Sequence, residues 1–416
     1  MNRHEEIERT LTSRPVPDGI PSTAVLPDYD GFSIAGVPPL IKRALGEGTE
    51  ETPLIDVVAP PMVDRVIFIL LDGLGYRALR RLADTGAIPT LSALASAGSF
   101  LPITSVFPST TVSALTTLAT GKPPLSHGML GYRLYLREAS AIINMIRLSV
   151  VGSTQAGSAF DAGLVPESLL TGPTSYEQLK AGRVVSHVLL PRQIARSGLS
   201  TILYRGCENV HPVAGFDDMC VTARQILDRD ESRTFVTLYW PGLDAVAHVR
   251  GPETDAYIAE ARSIDHTLRH ELVDRVDRTL LVLTSDHGFV PMEPSDYKRL
   301  SSFDGLEDAS LLPPVGEPRA SYLFLRQGAN LASAAEGPEL LDGDLLRLTA
   351  DQAIALGLFG NGEIHPETRH RIGDLVLAST GRAGILHPYP GTIPLRGMHG
   401  GLTEDEMLVP LIATAL

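Results

Sequence analysis

The chain has 416 residues, 44% of them hydrophobic, which is enough to bury a large core in one long α/β unit or in two or three domains. Its formal net charge of −14, from 49 acidic and 35 basic residues, argues against a protein that coats nucleic acid, since that role needs a basic face. A small phosphorylated substrate stays open, because a buried dication outweighs an acidic surround.

The charged start MNRHEEIERTLTSRP lacks the apolar segment of a signal peptide, and no apolar run approaches the roughly 18 residues of a membrane span. The expectation is a soluble, cytoplasmic protein without a membrane partner. Residues 1–62 read as a short helix, an irregular stretch, a second short helix and a proline-rich approach to the core through Pro53, Pro60 and Pro61. Val66 to Leu71 is a continuous apolar run closed by Asp72-Gly73, the pattern of a parallel strand buried on both faces. Helix-period positions over 75–97, broken at Pro89, lead to a short strand at 102–106, a loop at 107–110 and a helix at 111–120 ended by Gly121. The segment 186–206 reads as a helix leading into a strand. RTFVTLYW is a strand, the segment from Pro252 to Val276 a long amphipathic helix, and RTLLVLTSDHG a buried strand with a polar tip. Residues 305–390 differ, with strand-like ASYLFLRQ and GDLVLAS around a helical 340–359, and are expected to form an inserted or appended α+β subregion. Strands alternating with helices imply an α/β sheet covered on both faces. Cys207 and Cys220 have no metal-finger spacing and are expected as a reduced pair, so His and carboxylates must hold any metal.

Candidate metal-ligating side chains stand at strand ends. Asp72 ends the first buried strand, Asp286 and His287 end LLVLTS, Asp244 and His248 follow FVTLYW, and His399 follows a polar turn near the C-terminus. Ligands of open α/β sheets sit beyond the carboxyl ends of the strands, so acids and imidazoles delivered there separately suit a metal site. Asp244 and His248 share a face if their segment is helical. Asp-Gly after a strand is also a common turn, and each of these residues taken singly has an ordinary structural reading. Their joint occurrence in this order favours the metal site. In FPSTTVSALTTLATG, Ser109, Thr110 and Thr111 are candidates either to cap the helix or to meet an anion at its positive end.

Taken together, LLDGLG, FPSTT with the following TG and SHG, Asp244-x-x-x-His248-x-x-Gly-Pro, TSDHG and MHGG resemble the nucleotide pyrophosphatase/phosphodiesterase family of the alkaline phosphatase superfamily. The match covers roughly residues 63–132, 235–290 and 394–412. The resemblance implies an alkaline-phosphatase-like three-layer α/β/α sandwich with a mostly parallel sheet, forming one catalytic domain over 1–416. It also implies two zinc ions, with manganese or iron as substitutes: one held by Asp244, His248 and His399, the other by Asp72, Asp286, His287 and the Thr111 oxygen. Thr111 would be the nucleophile of a phospho-threonine route, chosen over Thr110 because the count from Phe107-Pro108 to Thr120-Gly121 fits the family without a gap. The implied activity is a phosphodiesterase or nucleotide pyrophosphatase acting on a small phosphorylated substrate such as a nucleotide. The alternatives are a phosphomonoesterase or phosphonate hydrolase on the same scaffold, or a non-catalytic metal-binding relative.

One departure is visible. Family members follow the nucleophile with Phe-Pro-Asn, whose amide helps to hold phosphoryl oxygens, whereas Val112, Ser113 and Ala114 stand here. No Cys/Ser-x-Pro-x-Arg motif is present, which argues against a sulfatase. Arg133 and Arg205 are candidates to supply positive charge, although a surface role is the expectation for each, and core packing is the expectation for Tyr132. His127 is assigned to the loop after the nucleophile helix, and His266 with His270 to a solvated helix face. His187, His211, His365, His370 and His387 carry no interpretable spacing.

Overall fold

The computed structural model describes residues 3–229, 232–329, 337–389 and 392–416. Seven strands build the central sheet: β1 (Arg65–Leu71), β2 (Ser99–Thr104), β3 (Val185–Pro191), β4 (Asn209–Val213), β5 (Thr234–Trp240), β6 (Leu280–Thr284) and β7 (Leu408–Ala415). Their order is β2-β7-β6-β1-β5-β3-β4, and β6, β1, β5, β3 and β4 run parallel, with β7 antiparallel to both its neighbours.

Strand alternation divides the core between the two faces of this sheet. Val66, Phe68 and Leu70 of β1 join one apolar cluster, with the helices at Val37–Ala44 and Thr111–Thr120. Ile67, Ile69 and Leu71 join the other, with the helices at Tyr76–Asp84, Pro89–Ala97, Phe216–Arg229 and Asp255–Leu268. Such a strand has no polar face, and its apolar run is the mark of burial on both sides.

A second sheet of eight strands combines Arg133–Leu136, Ala141–Asn144 and Ser149–Val150 with Val315–Glu317, Ala320–Leu323, Glu339–Leu341, Leu345–Thr349 and Leu375–Ser379, paired antiparallel. The 305–390 region therefore shares its sheet with strands nearly 200 positions upstream. Residues 330–336 and 390 of it lie outside the described residues.

Two segments differ from the sequence reading. Over 186–206 the order is reversed. Strand β3 comes first, with Val188 and Leu190 packed into one core and Leu189 into the other. The helix Gly198–Leu203 follows, its N–H at Ser200 bonded to the Ser197 hydroxyl at 3.2 Å. Over 340–359 a hairpin replaces most of the expected helix. Asp342 and Gly343 both take positive φ, 49° and 77°, in the tight three-residue connection 342–344 that joins strands 339–341 and 345–349. Helix starts only at Ala350, where Thr349 and Gln352 form a capping box. The expected helix at 252–276 is an α-helix from Asp255 to Leu268 closed by a π turn at Arg269–Val273. Cys207 and Cys220 are both free thiols, and no described helix is long and apolar enough to cross a membrane.

Candidate metal centre

All seven sequence-derived candidates converge at one edge of the central sheet. Asp72 follows β1 directly, and Asp286 and His287 follow β6 after Ser285. Asp244 and His248 lie four residues apart on the helix Gly242–Arg250, which departs from β5. His399 follows the short strand Gly397–Met398, itself paired with Val290–Pro291 just beyond His287. Thr111 opens the helix Thr111–Thr120.

Two groups of three result. In one, ligand atoms of Asp244, His248 and His399 lie within 4.8 Å of one another; in the other, those of Asp72, Asp286 and His287 do. The imidazoles share one arrangement. His248 Nδ1 donates to the Gly397 carbonyl (2.9 Å), His287 Nδ1 to the Gly288 carbonyl (3.1 Å) and His399 Nδ1 to the Ser109 carbonyl (3.0 Å). Each Nδ1–H is fixed by backbone, so each Nε2 presents a lone pair inward. Those lone pairs meet carboxylate oxygens, and at His287 the Thr111 hydroxyl as well. His287 Nε2 is 3.5 Å from Asp72 Oδ1 and 3.4 Å from Asp286 Oδ2, and His248 Nε2 is 3.2 Å from Asp244 Oδ1. The same three carboxylate oxygens are buried without a hydrogen-bond partner. Acceptors facing acceptors in a largely buried site favour a cation between them. These residues therefore fit a pair of divalent ions.

The surrounding bonds hold this geometry. The Tyr239 hydroxyl donates to Asp72 Oδ2. Asp286 Oδ1 accepts from the backbone N–H groups of Gly73 (3.2 Å) and His287 (3.0 Å). The rings of His287 and His399 stack with centroids 3.6 Å apart, bringing the two groups side by side, and Phe289 stands edge-on to all three imidazoles. Burial, then Asp286 and Asp244, push the Asp72 carboxyl well above the usual range. Burial, then His287 and His248, hold the His399 imidazole well below its ordinary value, which keeps it neutral and able to ligate.

Thr111 Oγ1 lies 3.3 Å from His287 Nε2. Its neighbour Thr110 is the N-cap residue yet makes no side-chain cap. Its hydroxyl donates instead to Glu317 Oε1 at 2.6 Å, leaving the first N–H groups of the helix uncapped. Glu317 Oε1 also accepts from Tyr132 N at 2.8 Å, and burial raises this carboxyl to about 7 against the lowering effect of those bonds. A cavity of about 390 Å³ opens beside Thr111, with Asp244, His248, His399, Glu317 and Arg133 on its walls.

Of the remaining expectations, Arg205 is bonded to Glu177 at 2.9 Å, away from this cavity, and His266 and His270 are exposed. His127 is buried behind the helix Thr111–Thr120, 3.0 Å from the Thr117 hydroxyl. Arg133 and Tyr132 instead line the cavity, against the surface and core roles expected of them. Tyr239, Phe289, Glu317 and His387 were not singled out from sequence. Tyr239 could have been found from strand alternation, since it precedes a site-bearing turn, whereas Glu317 and His387 carry no local signal.

Fold and site together define an α/β scaffold with a candidate two-part metal centre. The family model for type I phosphodiesterase/nucleotide pyrophosphatase matches residues 66–402. The chain belongs to that family and is thereby a phosphoric ester hydrolase. Phosphonoacetate hydrolase from Sinorhizobium meliloti 1021, solved with phosphonoformate, is similar in structure with TM-score 0.62 and 20% identity, covering 86% of this chain and 91% of that one. Human ectonucleotide pyrophosphatase/phosphodiesterase 5 superposes with TM-score 0.63 at 16% identity over 84% of this chain and 88% of its own. The inactive murine form of that protein, in complex with AMP, gives 0.61 at 15%, with 84% and 88% covered. No curated protein matches the chain significantly in sequence.

Proposed function

We propose that the protein is a dizinc hydrolase of phosphate esters, with diesters and nucleotide pyrophosphates as its leading substrate class, acting through a phospho-threonine intermediate on Thr111. The observation that carries this reading is the facing of three backbone-fixed imidazole Nε2 atoms onto three unpartnered carboxylate oxygens around the Thr111 hydroxyl. Asp244, His248 and His399 would hold one ion, and Asp72, Asp286, His287 and Thr111 Oγ1 the other. The ions, when bound, lower the pKa of the nucleophile and stabilise charge on the leaving oxygen.

The chain's own residues supply position and electrostatics. Thr111 sits at the positive end of a ten-residue helix, where uncapped N–H groups face a phosphoryl oxygen. Those N–H groups take the place of the amide lost with Val112, Ser113 and Ala114. Thr110 is engaged by Glu317, which supports Thr111 rather than Thr110 as the attacking hydroxyl. Attack in line on phosphorus forms the Thr111–O–P bond and expels the alcohol or phosphate; water then breaks that bond and regenerates the hydroxyl. The imidazoles are pre-set by backbone carbonyls, so little reorganisation accompanies charge development.

The test is zinc-loaded protein assayed on bis-p-nitrophenyl phosphate, p-nitrophenyl phosphate and phosphonoacetate side by side. Preference for the diester supports this reading. Preference for either other compound reassigns the substrate class, and no turnover with metal bound removes the enzymatic reading.

A further inference from the structure

Among the buried arginines of the chain, Arg319 is bonded to both oxygens of Glu406 and Arg371 is paired with Glu138 at 2.8 Å. Arg133 differs. It is partly buried, lines the cavity beside Thr111, and forms no hydrogen bond or ion pair through its guanidinium among the described residues. What holds it is aromatic. Its Cζ lies 4.9 Å from the ring centre of Tyr132 and 4.8 Å from that of Tyr389. Both rings are anchored, Tyr389 by donating to the Pro314 carbonyl at 2.9 Å and Tyr132 by accepting from Asn144 Nδ2 at 2.6 Å.

Aromatic contacts of this kind restrain a guanidinium while leaving its N–H donors, which lie in the guanidinium plane, without acceptors. Donors of a pre-oriented cation beside a catalytic hydroxyl suit a bidentate carboxylate or phosphate. Of the groups around Arg133, Glu317 feels its charge, which lowers that carboxyl against burial, but forms no ion pair with it. His387 lines the same cavity, and its tautomer follows from Ser321, whose hydroxyl donates to the Glu317 carbonyl at 2.8 Å and so accepts from His387 Nε2, also at 2.8 Å. His387 Nδ1 is left as a buried acceptor without a partner, and the imidazole is neutral. Glu317 Oε1 already serves Thr110 and Tyr132.

We infer that Arg133 binds a second anionic group of the substrate, a carboxylate or a phosphate, while the reacting phosphorus sits at Thr111. This rests on the phosphoryl-transfer reading above and narrows its substrate class. The preferred phosphate esters and pyrophosphates are those that carry a negative charge beyond the group under attack, as a nucleoside diphosphate does. A diester with only neutral substituents leaves Arg133 unused.

The experiment is calorimetric binding to the zinc-loaded full chain, comparing methylphosphonate with phosphonoacetate, 3-phosphonopropionate and methylenediphosphonate. The first lacks a second anion, the next two offer a carboxylate at two reaches, and the last offers a phosphonate in place of phosphate. The wild type is expected to prefer at least one two-anion probe over methylphosphonate by about ten- to a hundredfold. That ratio should collapse towards one in Arg133→Ala and persist in part in Arg133→Lys, with both variants melting near the wild type. The carboxylate and phosphonate arms identify which anion is read. A wild type without preference, or a preference that survives Arg133→Ala, overturns the inference while leaving the proposed function standing. Failure of every probe, methylphosphonate included, to bind the metal-loaded protein removes the proposed function and this inference with it.

Discussion

The Thr110 hydroxyl donates to Glu317 Oε1 at 2.6 Å, whereas that of its neighbour Thr111 faces His287 Nε2 at 3.3 Å, which favours Thr111 as the proposed nucleophile. Removing the Thr111 hydroxyl should be severe: Thr111→Ala is expected to lose at least about a thousandfold in kcat with metals bound, a loss typical for an essential catalytic group. Thr110→Val should keep the larger share of turnover while losing about 1–3 kcal/mol of stability, because it leaves a buried acceptor short of a donor. Steady-state kinetics and melting of the two variants separate the assignments, and the reverse pattern would make Thr110 the nucleophile.

Tyr239 lies under the metal centre, its hydroxyl bonded to Asp72 Oδ2. Tyr239→Phe keeps the ring in the core and removes only that bond. Zinc affinity, measured by competition with a chelator, should fall about ten- to a hundredfold, the usual effect of losing a group that orients a ligand. An unchanged affinity would mean that Asp72 is held by other contacts.

Metal removal should expose the repulsion stored among the acids. Asp72 is driven well above its ordinary range by burial and then by Asp286 and Asp244, a repulsion that a bound cation relieves. Zinc binding at pH 7 is therefore expected to release protons, visible as a dependence of the calorimetric enthalpy on buffer ionisation. Chelation should lower Tm, and Asp72→Asn should blunt both effects. Enthalpies independent of the buffer would contradict this account of the apo state.

Glu317 supplies a pH dependence with a definite sign. Burial lifts its carboxyl from 4.5 to about 7 in the folded chain. Between those values the unfolded chain releases a proton that the folded chain keeps, so this group's contribution to stability falls as pH rises and levels off above about 7. Measured as wild type minus Glu317→Gln in metal-free protein, the decline is at most roughly 3 kcal/mol, at about 1.4 kcal/mol per pH unit. Urea midpoints from pH 4 to 8 test it, and a difference that rises with pH would reverse the assignment. Bound metal should shrink the decline, since a nearby cation favours the carboxylate.

Legibility in the sequence followed the range of the interactions. The run Val66 to Leu71 announces a doubly buried strand because both faces of β1 meet apolar layers, and the six candidate ligands stand out because sheet topology delivers functional groups at strand ends. Periodicity misled at 186–206, where Leu189 and Leu190 suit a helix as well as a strand, and only pairing of β3 between β5 and β4 decides. At 340–359 the Asp342-Gly343 turn was readable, and the strong helical composition after Ala350 obscured it. Glu317 reaches Thr110 across 207 positions, and Tyr389 meets Arg133 across more than 250, so no local spacing could reveal either. The shared sheet of residues 133–150 and 315–379 was hidden for the same reason.

The central claim is that two ions flank Thr111, and metal stoichiometry tests it most directly. Elemental analysis of zinc-reconstituted, gel-filtered protein should give two ions per chain. It should give one in His248→Ala, which opens the Asp244/His248/His399 group, and one in Asp286→Ala, which opens the other. A wild type that retains one ion or none, or variants that keep both, would contradict the account.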